Sequence, residues 1–171
     1  MKYYISLVGL ILEDTNNDIK TICLRNNIDL KLSKRFFDFP LHVSFKRTFI
    51  TDNFNEVKDD VKDYFKNKGK IYAGKTTLVM NKDMLWLTLN DSNNLIEIHN
   101  ELDEMLLEKY NIQIDYYDKN YVPHITIFHD DDIDKLKIMF DRLNKSLDDL
   151  DIFIDRCFYG IRNKDEEIFD I

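Results

Sequence analysis

Hydrophobic residues along this chain change period several times, and each change marks a predicted element. Tyr3 to Leu12 is a mostly apolar run of strand length, the pattern of a buried first strand. Glu13-Asp14 end it, no small-residue cleavage site follows, and it is too short to span a bilayer, which argues against a signal segment. From Phe54 the apolar residues recur at Val57, Val61, Tyr64 and Phe65, and from Ile133 at Leu136, Phe140, Leu143 and Leu147. Leu95, Ile98, Leu102, Met105 and Leu106 make a third stripe, and Ile19, Ile22 and Cys23 a less distinct fourth within Asp18 to Leu30. Spacings of three and four predict amphipathic helices with one buried face. Asn53 with Glu56 fits a capping pair, and Asp130 to Asp132 place negative charge at another helix start. Ile71 to Met80, Leu85 to Leu89 and Ile152 to Ile161 read as strands, with Glu167 to Ile171 a further edge strand.

Two strand-like runs carry the same polar insertion. One is Pro40-Leu41-His42-Val43-Ser44-Phe45, the other Val122-Pro123-His124-Ile125-Thr126-Ile127. Residues i and i+2 of a strand share a face, so each run presents an imidazole beside a hydroxyl. The two histidines lie 124 − 42 = 82 positions apart. Sliding the chain by that offset lays Tyr4-Ile5-Ser6-Leu7 on Trp86-Leu87-Thr88-Leu89. Each half then reads strand, helix, motif strand, helix, strand. The expected fold is α+β: a bilobal pseudo-two-fold duplication of two small, largely antiparallel sheets facing a central cleft, with helices outside. Residues 1–171 are read as a single domain with intertwined lobes. The loops 29–39 and 115–121 precede the motif strands and are placed to rim the cleft.

Composition narrows the class. Hydrophobic content is 44%, with only four glycines and two prolines, so a packed core is expected and no linker stands out. A net charge of −8 disfavours a large nucleic-acid surface, because phosphate contacts supply most of such affinity. A small nucleotide or an RNA 3′ end held in a pocket remains compatible. The two cysteines have no metal spacing and predict a reduced, cytoplasmic protein. No membrane contact is expected, and the chain is read as a monomer.

The chemistry follows from the two motifs. Near neutral pH one imidazole takes a proton from the attacking oxygen while the other gives one to the leaving oxygen. Ser44 and Thr126 donate to the phosphate oxygens. Lys46, at i+4 from His42, is expected on the same face as a cation for the substrate, and Phe128 holds the same position on the second strand. Tyr4, Ser6, Trp86 and Thr88 occupy matching places on neighbouring strands, where an aromatic ring can stack a nucleobase; core packing is the competing reading for Tyr4, Trp86 and Phe128. His99 reads as a surface-edge residue of its helix and His129 as a plain surface histidine. The acidic run after His129 looks like a helix start rather than a metal site, and neither metal nor cofactor is expected.

His42-Val43-Ser44 and Pro123-His124-Ile125-Thr126, with the intervening strand Leu85-Trp86-Leu87-Thr88-Leu89, resemble the two-histidine (2H) phosphoesterase superfamily, which includes 2′-5′ RNA ligase-like proteins and cyclic phosphodiesterases. The resemblance implies a metal-independent phosphodiesterase acting on 2′,3′-cyclic phosphates or 2′-5′ linkages. It assigns His42 and His124 as the acid–base pair and Ser44 and Thr126 as phosphate holders. Several ligase-like members carry an arginine three residues beyond the second hydroxyl. His129 stands there in this chain, while Lys46 and Arg47 lie near the equivalent place after the first motif. Alternatives are a non-catalytic nucleotide-binding module, a 2′-5′ RNA ligase and an enzyme degrading cyclic oligonucleotide signals.

Overall fold

The computed structural model describes residues 2–32, 40–162 and 165–170, with backbone only from 155 onward. Most of the loop 29–39 therefore lies outside the described residues. Each half supplies the expected series. The first is β1 (Tyr3–Ile11), α1 (Glu13–Arg25), β2 (His42–Thr51), α2 (Phe54–Phe65) and β3 (Ile71–Asn81). The second is β4 (Met84–Asn90), α3 (Asn93–Tyr110), the short α4 (Tyr116–Lys119), β5 (His124–His129), α5 (Ile133–Leu143) and β6 (Asp151–Arg162), followed by β7 (Asp165–Asp170). The edge strand expected at the tail is thus present as β7.

The apolar stripes are the buried faces. Val57, Val61 and Phe65 of α2 are fully buried, as are Leu95, Leu102 and Leu106 of α3. Helix α5 turns Leu136, Met139 and Leu143 inward and stops at Asn144, where the backbone enters positive φ. The expected stripe ran on to Leu147, which is buried in the turn beyond the helix. Asp132 caps α5 by accepting from the Lys135 amide at 3.0 Å. The expected Asn53–Glu56 cap does not form; Asn53 makes no side-chain cap bond, and its amide donates to Thr51 Oγ1 at 3.0 Å instead. Cys23 is buried, which pushes its thiol up to about 12.

All strand pairs are antiparallel, and their pairing runs in a closed circuit: β1–β2–β5–β4–β3–β6 and back to β1, with β7 added to β6. The closing strands change sides. β3 follows the first motif in sequence but pairs with β4, and β6 follows the second motif but pairs with β1. At Ile154 of β6 the partners are Ile71 of β3 on one edge and Ile11 of β1 on the other. The two lobes therefore meet along β3–β6 and again along β2–β5. The second contact is a single bridge, Val43 opposite Ile125.

Candidate active site

The Val43–Ile125 bridge sets the site. Both residues are fully buried, so the residues either side of them face away from the core. His42, Ser44, His124 and Thr126 are all partly exposed. The antiparallel register sets His42 towards Thr126 and Ser44 towards His124 around the bridge. The structure thus brings both motifs to one face, related by the dyad of the duplication.

Each imidazole is held in the same way. His42 Nδ1–H donates to the Pro40 carbonyl at 2.9 Å, and His124 Nδ1–H to the Val122 carbonyl at 2.7 Å. This contact selects the tautomer with Nε2 as the lone-pair atom. Trp86 lies flat on His124, with centroids 3.7 Å apart and planes 16° apart. Its indole N–H donates to Met84 Sδ at 3.4 Å. Burial lowers the pKa of His124 below its usual 6.5, against the smaller opposing effect of the Val122 carbonyl.

A cavity of about 550 Å³ opens beside His124 and Ser44. Trp86, Tyr117, Tyr121 and Met84 give it apolar walls, and Arg47 and Asn120 stand among its polar groups. Arg47 lies over the Tyr117 ring at 3.9 Å and within 3.8 Å of the Asp115 carboxylate. Tyr121 donates its hydroxyl to the Ser44 carbonyl at 2.9 Å. Its burial raises the phenol pKa, so this hydroxyl stays a donor.

Lys46 and Phe128 do not face the cleft as expected; they are 3% and 1% exposed. The cause is the same in both strands. Ser44 lies opposite Val8 but Lys46 opposite Leu7, and Thr126 opposite Trp86 but Phe128 opposite Leu85. One extra residue directly after each motif makes a β-bulge, which reverses the alternation beyond it, and β2 has a second shift further on, between Lys46 and Phe49. Phe45 and Lys46 both turn inward, as do Ile127 and Phe128. Arg47, three residues past Ser44, becomes a cation of the cavity instead, along with Lys82.

Tyr4 is also displaced from its expected place. Thr88 stands opposite His124, but Leu10 rather than Ser6 stands opposite His42, four positions along. The duplication conserves element order and changes the register of the first strand pair. Tyr4 therefore lies across from Ile50, well along β2 from the motif, and Ser6 bonds Thr48 at 2.6 Å.

His99 is not a surface-edge residue. It is 2% exposed, behind Tyr121, whose ring stacks on it at 4.0 Å. Around it Lys46 pairs with Asp103 at 2.8 Å and hydrogen-bonds Asp118. His99, Asp103 and Asp118 bring ligand-type atoms within 4.8 Å of one another, and the cation set among these two carboxylates is the Lys46 ammonium. A second such group, Asp83, His129 and Asp131, lies at the surface, where His129 pairs with Asp83 at 2.9 Å. The sequence signal overlooked was Tyr121, three residues before the second motif histidine; His99, at the border of the α3 stripe, falls on its buried side and not on the surface side expected.

Comparison with known proteins bears on the family and the fold. Residues 17–166 match the family described as the 2′-5′ RNA ligase superfamily. The fold is similar to that of Usb1 from Kluyveromyces marxianus, with a TM-score of 0.54, 13% identity, and coverage of 99% of this chain and 98% of that one. It is similar also to the same protein with uridine monophosphate, with a TM-score of 0.53, 13% identity and the same coverage. At that identity the likeness concerns the fold. Comparison with curated proteins gives no match. Among the described residues no helix is long and apolar enough to cross a membrane.

Proposed function

This chain belongs to the 2′-5′ RNA ligase superfamily, the two-histidine phosphoesterases, and from that premise we propose that it hydrolyses a nucleotide or RNA-terminal phosphodiester, a 2′,3′-cyclic phosphate or a 2′-5′ linkage. The observation that carries this reading is the pair of imidazole–hydroxyl sets flanking the Val43–Ile125 bridge on one face. In the reaction, a neutral imidazole removes a proton from water as its oxygen bonds to phosphorus. The P–O bond to the leaving oxygen breaks, and the other imidazole, protonated, gives that oxygen its proton. Ser44 and Thr126 donate to the non-bridging oxygens as they gain charge. The lowered pKa of His124 suits it to the base role and leaves His42 as the acid.

The cavity supports a nucleotide as substrate. Aromatic walls accept a base or ribose by stacking, and Arg47 and Lys82 bring positive charge to the cavity for an anionic group. A related fold holds uridine monophosphate, which fits a pocket of this size. Two imidazoles carry both proton transfers, so turnover is expected to survive chelators.

The test is a panel of 2′,3′-cyclic nucleotides, 2′-5′ dinucleotides and cyclic dinucleotides, run with wild type, His42→Ala and His124→Ala. Each variant should lose about a hundred- to ten-thousandfold in kcat while keeping the wild-type circular dichroism. Normal turnover by both variants on the substrate the wild type cleaves would refute the assignment. Mononucleotide binding without cleavage of any panel member would make the chain a binding module.

A further inference from the structure

A buried cluster reaches the cavity wall at His99 and Asp118 and has no direct part in the chemistry just described. His99 of α3 is set between two backbone carbonyls, with Nδ1 2.6 Å from the Phe45 oxygen and Nε2 3.0 Å from the Asp118 oxygen. A carbonyl oxygen only accepts. Both bonds form only if both ring nitrogens carry a proton, and a neutral imidazole has one. The surroundings suit the second proton. Asp103 Oδ2 lies 3.5 Å from Nε2. With Lys46 and Asp118 the cluster then holds two cations and two carboxylates, so its charges balance. With His99 neutral and Asp103 ionised, one negative charge would be uncompensated among side chains at most 7% exposed, which burial penalises. Burial likewise pushes the Asp103 carboxyl up, so charge balance puts one more proton on the His99–Asp103 pair, and the two carbonyls on the ring place it on His99.

The two carbonyls belong to the two halves of the site. Phe45 is the bulge residue next to Ser44, and Asp118 belongs to α4, in the segment that leads into His124. The same segment is tied down a second time. Asp118 Oδ2 accepts from Lys46 Nζ and, at 2.9 Å, from the Asp115 amide, while Asp115 caps the Asp118 and Tyr117 amides. Tyr121 completes the link, stacked on His99 and bonded to the Ser44 carbonyl. The groups facing His99 are thus Lys46 from β2, Asp103 from its own helix, Asp118 from α4 and Tyr121 from the segment before β5.

We propose that His99 is a positioning residue: protonated on both nitrogens, it clips the backbone behind Ser44 to the segment before His124 and so fixes the spacing of the two half-sites. The positioning role rests on the phosphodiesterase reading; the protonation of the ring does not.

Histidine ring nitrogen NMR on the full chain tests the protonation directly. Near neutral pH, His99 should show two slowly exchanging N–H protons. A ring with one protonated nitrogen overturns the proposal, whatever the enzyme turns over. His99→Gln, which cannot reach both carbonyls, should lower kcat about ten- to a hundredfold and change KM much less, because a small misplacement of reacting groups is costly and Trp86 and Tyr117 still wall the cavity. Unchanged kcat in a folded His99→Gln protein also overturns it. Should that variant fail to fold, Tyr121→Phe removes only the hydroxyl on the Ser44 carbonyl; it should lower kcat less, and no change there counts against the link. A wild-type protein that cleaves nothing on the panel sinks the phosphodiesterase reading alone, and the ring protons still decide the bridge.

Discussion

At His124 two neighbours do different jobs. The Val122 carbonyl fixes the tautomer, and Trp86 covers one face of the ring. Desolvation disfavours the charged imidazolium, which is why its pKa falls below 6.5. A base must be neutral, so activity is present above its pKa and lost as pH falls through it. The acid limb of kcat/KM against pH is therefore expected below 6.5. Trp86→Ala readmits water to the ring and should move that limb towards higher pH; an unmoved limb would show that Trp86 does not shield His124. The His-x-Ser and His-x-Thr pairs were legible in the sequence because a strand's period of two is enough to pair their side chains. His99 was not. A histidine beside an apolar stripe lies on the boundary between core and surface, and only the carbonyls that meet its ring, from residues distant in sequence, settle its place.

At the level of elements, the strands and the longer helices were legible from period, although α1 starts five residues before the stretch read as helical and α4 lies in what reads as a loop; the bulges were not legible. A bulge depends on how two strands pair, and neither motif strand carries a glycine or proline to mark it. It nonetheless decides which of Lys46 and Arg47 meets solvent. Lys46 is consequently structural. Removing its charge in Lys46→Met leaves two buried carboxylates short of a partner, at an expected cost of about 3 to 5 kcal/mol, read from denaturant unfolding. A cost below about 1 kcal/mol, typical of a surface pair, would contradict the burial. The bulge also has a receiving site. A Cβ on Gly9 would come within 2.3 Å of Ile154 Cγ2 and 2.7 Å of Phe45 Cζ. Gly9→Ala should therefore destabilise by about 1 to 3 kcal/mol and disturb Phe45, whose carbonyl His99 holds.

For the whole molecule, the repeat offset anticipated element order, and it could not anticipate that β3 and β6 would trade places or that the first strand pair would slip by four positions. Pairing partners are chosen by burial across the complete structure, which a one-dimensional alignment of the halves does not contain. The trade has a consequence for how the chain can be divided. A break in the turn at Lys82-Asp83 separates the duplicated units in sequence, yet leaves β3 paired only with strands of the other piece and β6 with β7 alone of its own. Neither piece, 1–82 or 83–171, should be soluble when produced alone, whereas the two produced together should recombine into one particle that elutes at the size of the uncut protein. In that sense the molecule is a handshake between twins joined by a short tether, and cutting the tether should not loosen the grip.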